Sequence, residues 1–247
     1  MRKIDLAQIK AVCFDRGNVV YNCKLGPPVK SQDQEAACLI QESLKQHGIA
    51  VSFQAVYRDF ICKWKDSFSE RGNRGYEIPV STFFNDFAAR HHLPGSVSLD
   101  KAMTELMSTA YHKWHTLEPG FKPLLVYLKA IGIKTGIVSN AVFPEHVYNA
   151  QLQHDGLLKH LDVCVFSSRA GVMKPNKQLL EIACSTLNVA TCECMLVGDK
   201  LLKDVACARH AGAKSVWYNP KREKNTERFQ PDYVVSSLAE MQKRIKI

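Results

Sequence analysis

The second half of this chain consists of short, almost wholly apolar runs separated by longer amphipathic stretches, and few folds accept that alternation. The runs are Lys134–Asn140, Leu161–Ser167, Cys194–Asp199, Lys214–Asn219 and Asp232–Val235. Between them, helix-type spacing covers Phe121–Ala130, Pro144–Leu152, Pro175–Leu187, Leu201–Ala211 and a final Ser237–Ile245. Strands that are apolar on both faces and alternate with helices predict βαβ units around a parallel sheet covered on both sides. The class is therefore α/β, a three-layer Rossmann-like sheet. One more strand of the same kind, Ile9–Asp15, stands alone near the N-terminus.

Between that strand and the rest lies a segment of about a hundred residues with no convincing strand. Apolar residues recur at helical spacing in Glu35–His47, Phe53–Phe68, Thr82–His91 and Leu99–His115, with breakers at Gly48, Gly72–Gly75, Pro79 and Pro94–Gly95. The expected division is an α/β core of residues 1–21 and 116–247 and an all-helical cap domain of residues 22–115. In open α/β sheets ligands bind beyond the carboxyl ends of the strands, so an insert leaving from that edge can cover the site.

Four segments bring polar chemistry to strand ends. Asp15-Arg16-Gly17-Asn18-Val19 sets a carboxylate straight after a buried strand. Ser139-Asn140 sets a hydroxyl and an amide at the end of another. Lys174-Pro175 places a lysine before a proline suited to open a helix. Gly198-Asp199 is followed by Asp204, one carboxylate at a strand end and one in the first turn of the next helix. Each alone reads as capping or turn chemistry; four of them at one edge of one sheet read as a site.

With these residues in place, the sequence resembles the haloacid dehalogenase superfamily, in particular its subfamily with a helical cap inserted after the first strand. The resemblance spans essentially the whole chain and is weakest in the cap. It implies that Asp15 is a nucleophile forming an aspartyl-phosphate, with Lys174 neutralising it and a phosphate oxygen. It also implies that the Ser139 hydroxyl and the Asn140 N–H hold another oxygen, and that Asp15, the Gly17 carbonyl, Asp199 and Asp204 hold Mg²⁺. Carboxylates converging from three places would repel without a cation between them, and hard oxygen donors suit Mg²⁺.

The pattern departs from the family at Gly17, where most phosphatases of the superfamily have an Asp that protonates the leaving group. Glycine keeps the carbonyl and loses the acid, whose help is typically worth about 10²–10⁴-fold. Three outcomes are open: a substrate whose leaving group needs little protonation, such as a sugar 1-phosphate or an acyl phosphate; an acid from the cap, where His47, His91, His92, His112 and His115 are candidates; or an impaired protein that binds a phosphorylated ligand and regulates. Arg16 and Arg169 are also unusual for the family. Two further activities are dehalogenation, which needs no metal and is disfavoured by the pair Asp199 and Asp204, and phosphonate cleavage. The latter would use a cap lysine, and nothing singles out Lys45, Lys63 or Lys65.

The charge balance is +9 with a pI near 9.1, which suits a small phosphorylated or otherwise anionic substrate. The basic run Lys221–Arg228 has no interleaved aromatics, so no nucleic-acid partner is expected. No apolar run is long enough to cross a bilayer, and Asp5 and Lys10 interrupt any signal peptide. Nine scattered cysteines read as reduced thiols, with Cys192 and Cys194 lacking the second pair of a zinc site, and the expected compartment is the cytoplasm.

Overall fold

The computed structural model describes residues 3–23, 26–94 and 97–246, without the side chains at 73, 97 and 98. Among these, ten strands occur: β1 Ile4–Asp5, β2 Ala11–Phe14, β3 Tyr21–Asn22, β4 Thr116–Leu117, β5 Lys134–Ser139, β6 Val163–Phe166, β7 Cys194–Gly198, β8 Lys214–Tyr218, β9 Tyr233–Val235 and β10 Ile245–Lys246. The helices are α1 Val29–Gln46, α2 Phe53–Ala55, α3 Lys63–Arg74, α4 Val80–Arg90, α5 Val97–His112, α6 Phe121–Ala130, α7 Glu145–His154, α8 Ser167–Ala170, α9 Gln178–Leu187, α10 Ala206–Ala211 and α11 Leu238–Arg244. A π-helical stretch, Val56–Cys62, makes α2 and α3 one continuous rod, and a second, Leu201–Val205, opens α10.

Six strands form one parallel sheet in the order β6-β5-β2-β7-β8-β9. The isolated N-terminal strand, β2, is central, and every one of its residues is buried. Side-chain alternation divides the core between two faces. Val12, Phe14, Ile137, Val197 and Val216 pack with α6 and α11 through Phe121, Leu124, Leu128, Leu238 and Met241. Ala11, Cys13, Val138 and Leu196 pack with α9 and α10 through Leu180, Ala183, Cys184, Cys207 and Ala208. A fully buried Leu, Ile or Phe contributes about 1.5–3 kcal/mol, so the sheet's position is set by these two apolar layers and not by its polar ends.

The chain leaves the core after β3 and returns through β4, and the two pair antiparallel with Tyr21 opposite Leu117. These two short strands lie at the edges of the segment read as strandless. Between them every described element is helical, and α1 packs on α5 around Ile40, Leu44, Phe60, Phe84, Phe87, Met103 and Met107. Gly72 does not break its helix: α3 runs on to Arg74, and Gly75, at φ 72°, ends it. The helix expected to open at Pro175 begins at Gln178, because Lys174–Lys177 form a turn. No helix among the described residues is long and apolar enough to cross a membrane.

Candidate active site

Strand register assembles the site. Phe14 at the end of β2 is opposite Ile137 on one side and Val197 on the other. Two residues beyond those partners come Ser139 and Asp199, and directly after Phe14 comes Asp15. Parallel pairing therefore carries a carboxylate, a hydroxyl and a second carboxylate to the same edge from three distant parts of the chain. The Asp15 N–H donates to the Val197 carbonyl at 2.8 Å, which extends the ladder one residue and fixes the backbone beneath the carboxylate.

Asp15 Oδ1 accepts two hydrogen bonds, from Ser139 Oγ at 3.0 Å and from Lys174 Nζ at 2.7 Å. The ammonium of Lys174 is buried and also reaches Asp204 Oδ1 at 2.6 Å and the Val138 carbonyl at 2.8 Å, so all three of its donors are used. Its backbone is clamped by Asn140, which accepts the Lys174 N–H at 2.7 Å and donates Nδ2 to the Lys174 carbonyl at 3.0 Å. Burial alone would lower the lysine's pKa; the two carboxylates outweigh it and raise it. Asp204 moves up to about 6, because desolvation and the neighbouring charge of Asp15 outweigh the attraction of Lys174.

Asp204 stands so close to β7 that a Cβ on Gly198 would lie 2.1 Å from its own Cβ. Glycine at 198 is thus a packing requirement for bringing Asp204 beside Asp199. Asp204 Oδ2 accepts the Lys200 N–H at 2.9 Å. Asp199 accepts from Asn18 Nδ2 at 3.3 Å and pairs with Lys200 at 3.2 Å, while its carbonyl accepts the Trp217 indole N–H at 3.1 Å.

Asp15, Asp199 and Asp204 each offer an oxygen, all within 4.8 Å of one another. Three carboxylates, with Lys174 between two of them and the more exposed Lys200 on the third, leave a net negative charge at a mostly buried point. An all-oxygen set with that residual charge suits one hard divalent cation.

Beside the cluster is a cavity of about 290 Å³ whose lining includes Arg16, Gly17, Ser139 and Asn140 from the strand ends and Trp64, Tyr111, His112 and His115 from the helical segment and its exit. The seven residues expected at the site, Asp15, Gly17, Ser139, Asn140, Lys174, Asp199 and Asp204, converge at this edge. Gly17 lies outside the left-handed region, and the nearest atom to a Cβ built there is Asp15 Oδ2 at 3.8 Å. The gap left by the glycine therefore opens beside the carboxylate oxygen that Lys174 and Ser139 do not hold.

The five candidate histidines separate. His47 lies against its own helix at Ser43, His91 pairs with Asp59, and His92 is exposed. His112 and His115 do line the cavity, but burial and the charge of Arg16 hold His112 well below its ordinary pKa and bring His115 down to about 4. Both are neutral near pH 7, so neither arrives carrying a proton to donate as an imidazolium. Of the lysines, Lys45 is exposed and Lys63 is absent from the lining, while Lys65 lines the cavity and is paired with Asp33 at 2.7 Å. Arg169 is exposed and pairs with Glu145.

Sequence reasoning did not find three residues that shape this edge. Trp217 anchors the Asp199 backbone, and nothing in its strand marks it. Tyr148 and Tyr21 bring their rings to 4.8 and 4.7 Å from the Arg16 guanidinium carbon. They lie 132 and 5 residues from Arg16 in sequence, and only the fold brings Tyr148 to it.

A family model described as haloacid dehalogenase-like hydrolase matches residues 9–212. The chain belongs to that family. A glyceraldehyde 3-phosphate phosphatase of Pyrococcus furiosus is 30% identical over 208 residues, 81% of this chain and 80% of that protein. Among solved structures, a phosphatase of the family from Thermococcus onnurineus superposes with a TM-score of 0.64 over 95% of this chain and 97% of its own, at 23% identity. A 2-haloacid dehalogenase from Pseudomonas syringae gives 0.68 over 96% and 97%, at 18% identity. Both structures establish the fold; as a haloacid dehalogenase-like hydrolase the chain is an enzyme of the hydrolase class.

Proposed function

We propose that this hydrolase cleaves a small phosphorylated metabolite through an aspartyl-phosphate on Asp15. The observation that carries the reading is the asymmetry of the Asp15 carboxylate: Oδ1 is held by Ser139 and Lys174, and Oδ2 faces the opening at Gly17. A carboxylate pinned through one oxygen presents the other in a fixed direction, as an in-line displacement at phosphorus requires. Attack forms the Oδ2–P bond and breaks the bond from phosphorus to the leaving oxygen, which departs as an oxyanion and takes its proton from water; hydrolysis of the acyl phosphate then returns the free carboxylate and inorganic phosphate. Lys174 stays protonated throughout, because two carboxylates raise its pKa, and it offsets charge at the attacking group. The Asn140 N–H is the donor assigned to one phosphoryl oxygen, and the Ser139 hydroxyl would turn from Asp15 Oδ1, which Lys174 continues to hold, to donate to another.

Asp15, the Gly17 carbonyl, Asp199 and Asp204 are the residues that would hold Mg²⁺, which when bound supplies charge neutralisation for the phosphoryl oxygens. The helical segment, residues 22–115, is read as a cap on the core formed by 1–21 and 116–247. Phosphatase relatives support the substrate class. The convergence of Asp199 and Asp204 with Asp15 disfavours a dehalogenase, whose chemistry calls for no such acidic cluster. Nine free thiols fit a reducing compartment such as the cytoplasm.

Because Gly17 supplies no acid and the lining histidines are neutral, the leaving group of a good substrate needs little protonation. Anomeric and acyl phosphates meet that condition. The test is hydrolysis of a series of aryl and alkyl phosphates with Mg²⁺. The parent chain should show kcat/KM falling steeply with leaving-group pKa, and Asp15→Asn should abolish turnover with little change in Tm. Activity close to the parent's in Asp15→Asn would remove the aspartyl-phosphate route, and a flat dependence would mean that an acid is supplied after all.

A further inference from the structure

Arg16 directly follows the proposed nucleophile, is 5% exposed and lines the cavity. A buried guanidinium normally has a carboxylate beside it, because the cost of removing its charge from water is otherwise uncompensated. Among the described residues no carboxylate pairs with Arg16. The groups in contact with its guanidinium are neutral: the rings of Tyr21 and Tyr148 at 4.7 and 4.8 Å from Cζ, the Gln151 Oε1 that accepts from Nη2, and His115 Nδ1 at 3.4 Å from the same nitrogen. Its Nε is buried with no hydrogen-bond partner.

The cavity adds a second, independent observation. No Asp or Glu is among its lining residues, and its other lining cation, Lys65, is already committed to Asp33. Cation–π contacts to the two rings and the Gln151 bond keep the guanidinium in place, and the Nε edge is left for planar recognition. The result is a desolvated, fixed positive charge one residue from Asp15 whose counter-charge the described protein does not provide.

We propose that Arg16 receives a second anionic group of the substrate, a carboxylate or a phosphate carried on the part of the molecule beyond the scissile phosphoryl. This deepens and rests on the phosphohydrolase reading of the same cavity. The substrate class becomes a phosphomonoester with an additional oxyanion, its carbon frame lying against Trp64, Phe143 and Tyr148. Arg16 is then a specificity-determining residue for that class.

The test uses alkyl phosphates of two to five carbons ending in a carboxylate, a phosphate or a hydroxyl. Their binding to full-length Asp15→Asn in Mg²⁺ buffer is measured by calorimetry, and their turnover by the parent chain is measured in parallel. At the best-fitting length the doubly anionic compound should bind at least tenfold more tightly than the hydroxyl compound, and the stronger of the two acids identifies the group. Adding Arg16→Gln should compress that ratio to less than threefold, and Arg16→Lys should keep part of it.

A ratio near one at every length in the Asp15→Asn protein would overturn the proposal without reference to any Arg16 variant. Equal weakening of charged and uncharged compounds in Arg16→Gln would also overturn it, since a purely structural strut would act on both alike. Should Arg16→Gln fail to fold, the Asp15→Asn ratio and Arg16→Lys decide. Discrimination in binding without turnover defeats the phosphohydrolase reading and leaves the role of Arg16 standing. Turnover without discrimination does the reverse.

Discussion

Gly17 is missing a functional group in a place that has room for one. Its backbone tolerates any L-residue, and the first atom a new Cβ meets is Asp15 Oδ2 at an ordinary contact distance. Gly17→Asp should therefore fold and introduce a carboxyl beside the oxygen proposed to react. General acid help is typically worth about 10²–10⁴-fold, so turnover of alkyl phosphates should rise at least tenfold while aryl phosphates with acidic leaving groups change little. Parallel gains on both would mean that the new side chain acts by some route other than protonation. Lys174 makes the opposite case. Removing its charge leaves Asp15 and Asp204 buried against each other, and breaking a buried ion pair from one side costs about 3–5 kcal/mol. Urea unfolding of Lys174→Met should show a loss of that order, partly restored by Mg²⁺.

At the scale of elements, one strut joins the helical segment to the core. Arg71 of α3 and Glu77, in the turn before α4, form a buried ion pair. Ser167, which opens α8, donates to Glu77 Oε2 at 2.8 Å and accepts the Ala141 N–H just beyond β5 at 2.7 Å. Alongside, the Glu77 N–H donates to the Gly171 carbonyl and the Met173 N–H to the Gly75 carbonyl. The turn that presents Lys174 is thus tied to the end of α3. Burial pushes the Glu77 carboxyl up even with Arg71 beside it, so the desolvation cost exceeds the attraction there. Glu77→Gln should cost about 3–5 kcal/mol, because Arg71 is left charged without a partner. The double change Arg71→Met, Glu77→Met should cost clearly less than that single change. Chemical denaturation of both variants checks the order, and a double variant less stable than Glu77→Gln would contradict it.

For the whole molecule, pH and metal act on the same edge in separable ways. His112 and His115 titrate below the ordinary histidine value of 6.5 in the folded chain, and an unfolded chain recovers that value. Unfolding therefore takes up protons in acid. Their contribution is complete above about pH 6.5 and is lost as pH falls below it, for His115 down to about 4, with a slope of about 1.4 kcal/mol per pH unit for each histidine. Urea midpoints measured from pH 7 to pH 4.5 should fall accordingly, and His112→Gln with His115→Gln should flatten that part of the profile. Mg²⁺ should raise Tm by mass action, and Asp199→Ala with Asp204→Ala should abolish the rise; a persisting rise would place the ion elsewhere.

The apolar runs by themselves determined the α/β class, the place of the first strand in a parallel sheet and the helical character of the long insert, because periodicity is a local property that each segment carries alone. Asp15, Ser139 and Asp199 were legible for the same reason, as polar residues interrupting apolar strands at their carboxyl ends, and Lys174 as a lysine set before a proline. Tertiary structure alone decided how those residues are shared out. It placed Lys174 between Asp15 and Asp204, closed Glu77 onto Ser167, left two cavity histidines neutral and three outside the cavity, and buried Arg16 against two tyrosines with no carboxylate paired to it among the described residues. Most of these rest on contacts between segments far apart in sequence. Charge state and partner depend on what lies within a few ångströms in space, and a linear pattern does not specify that.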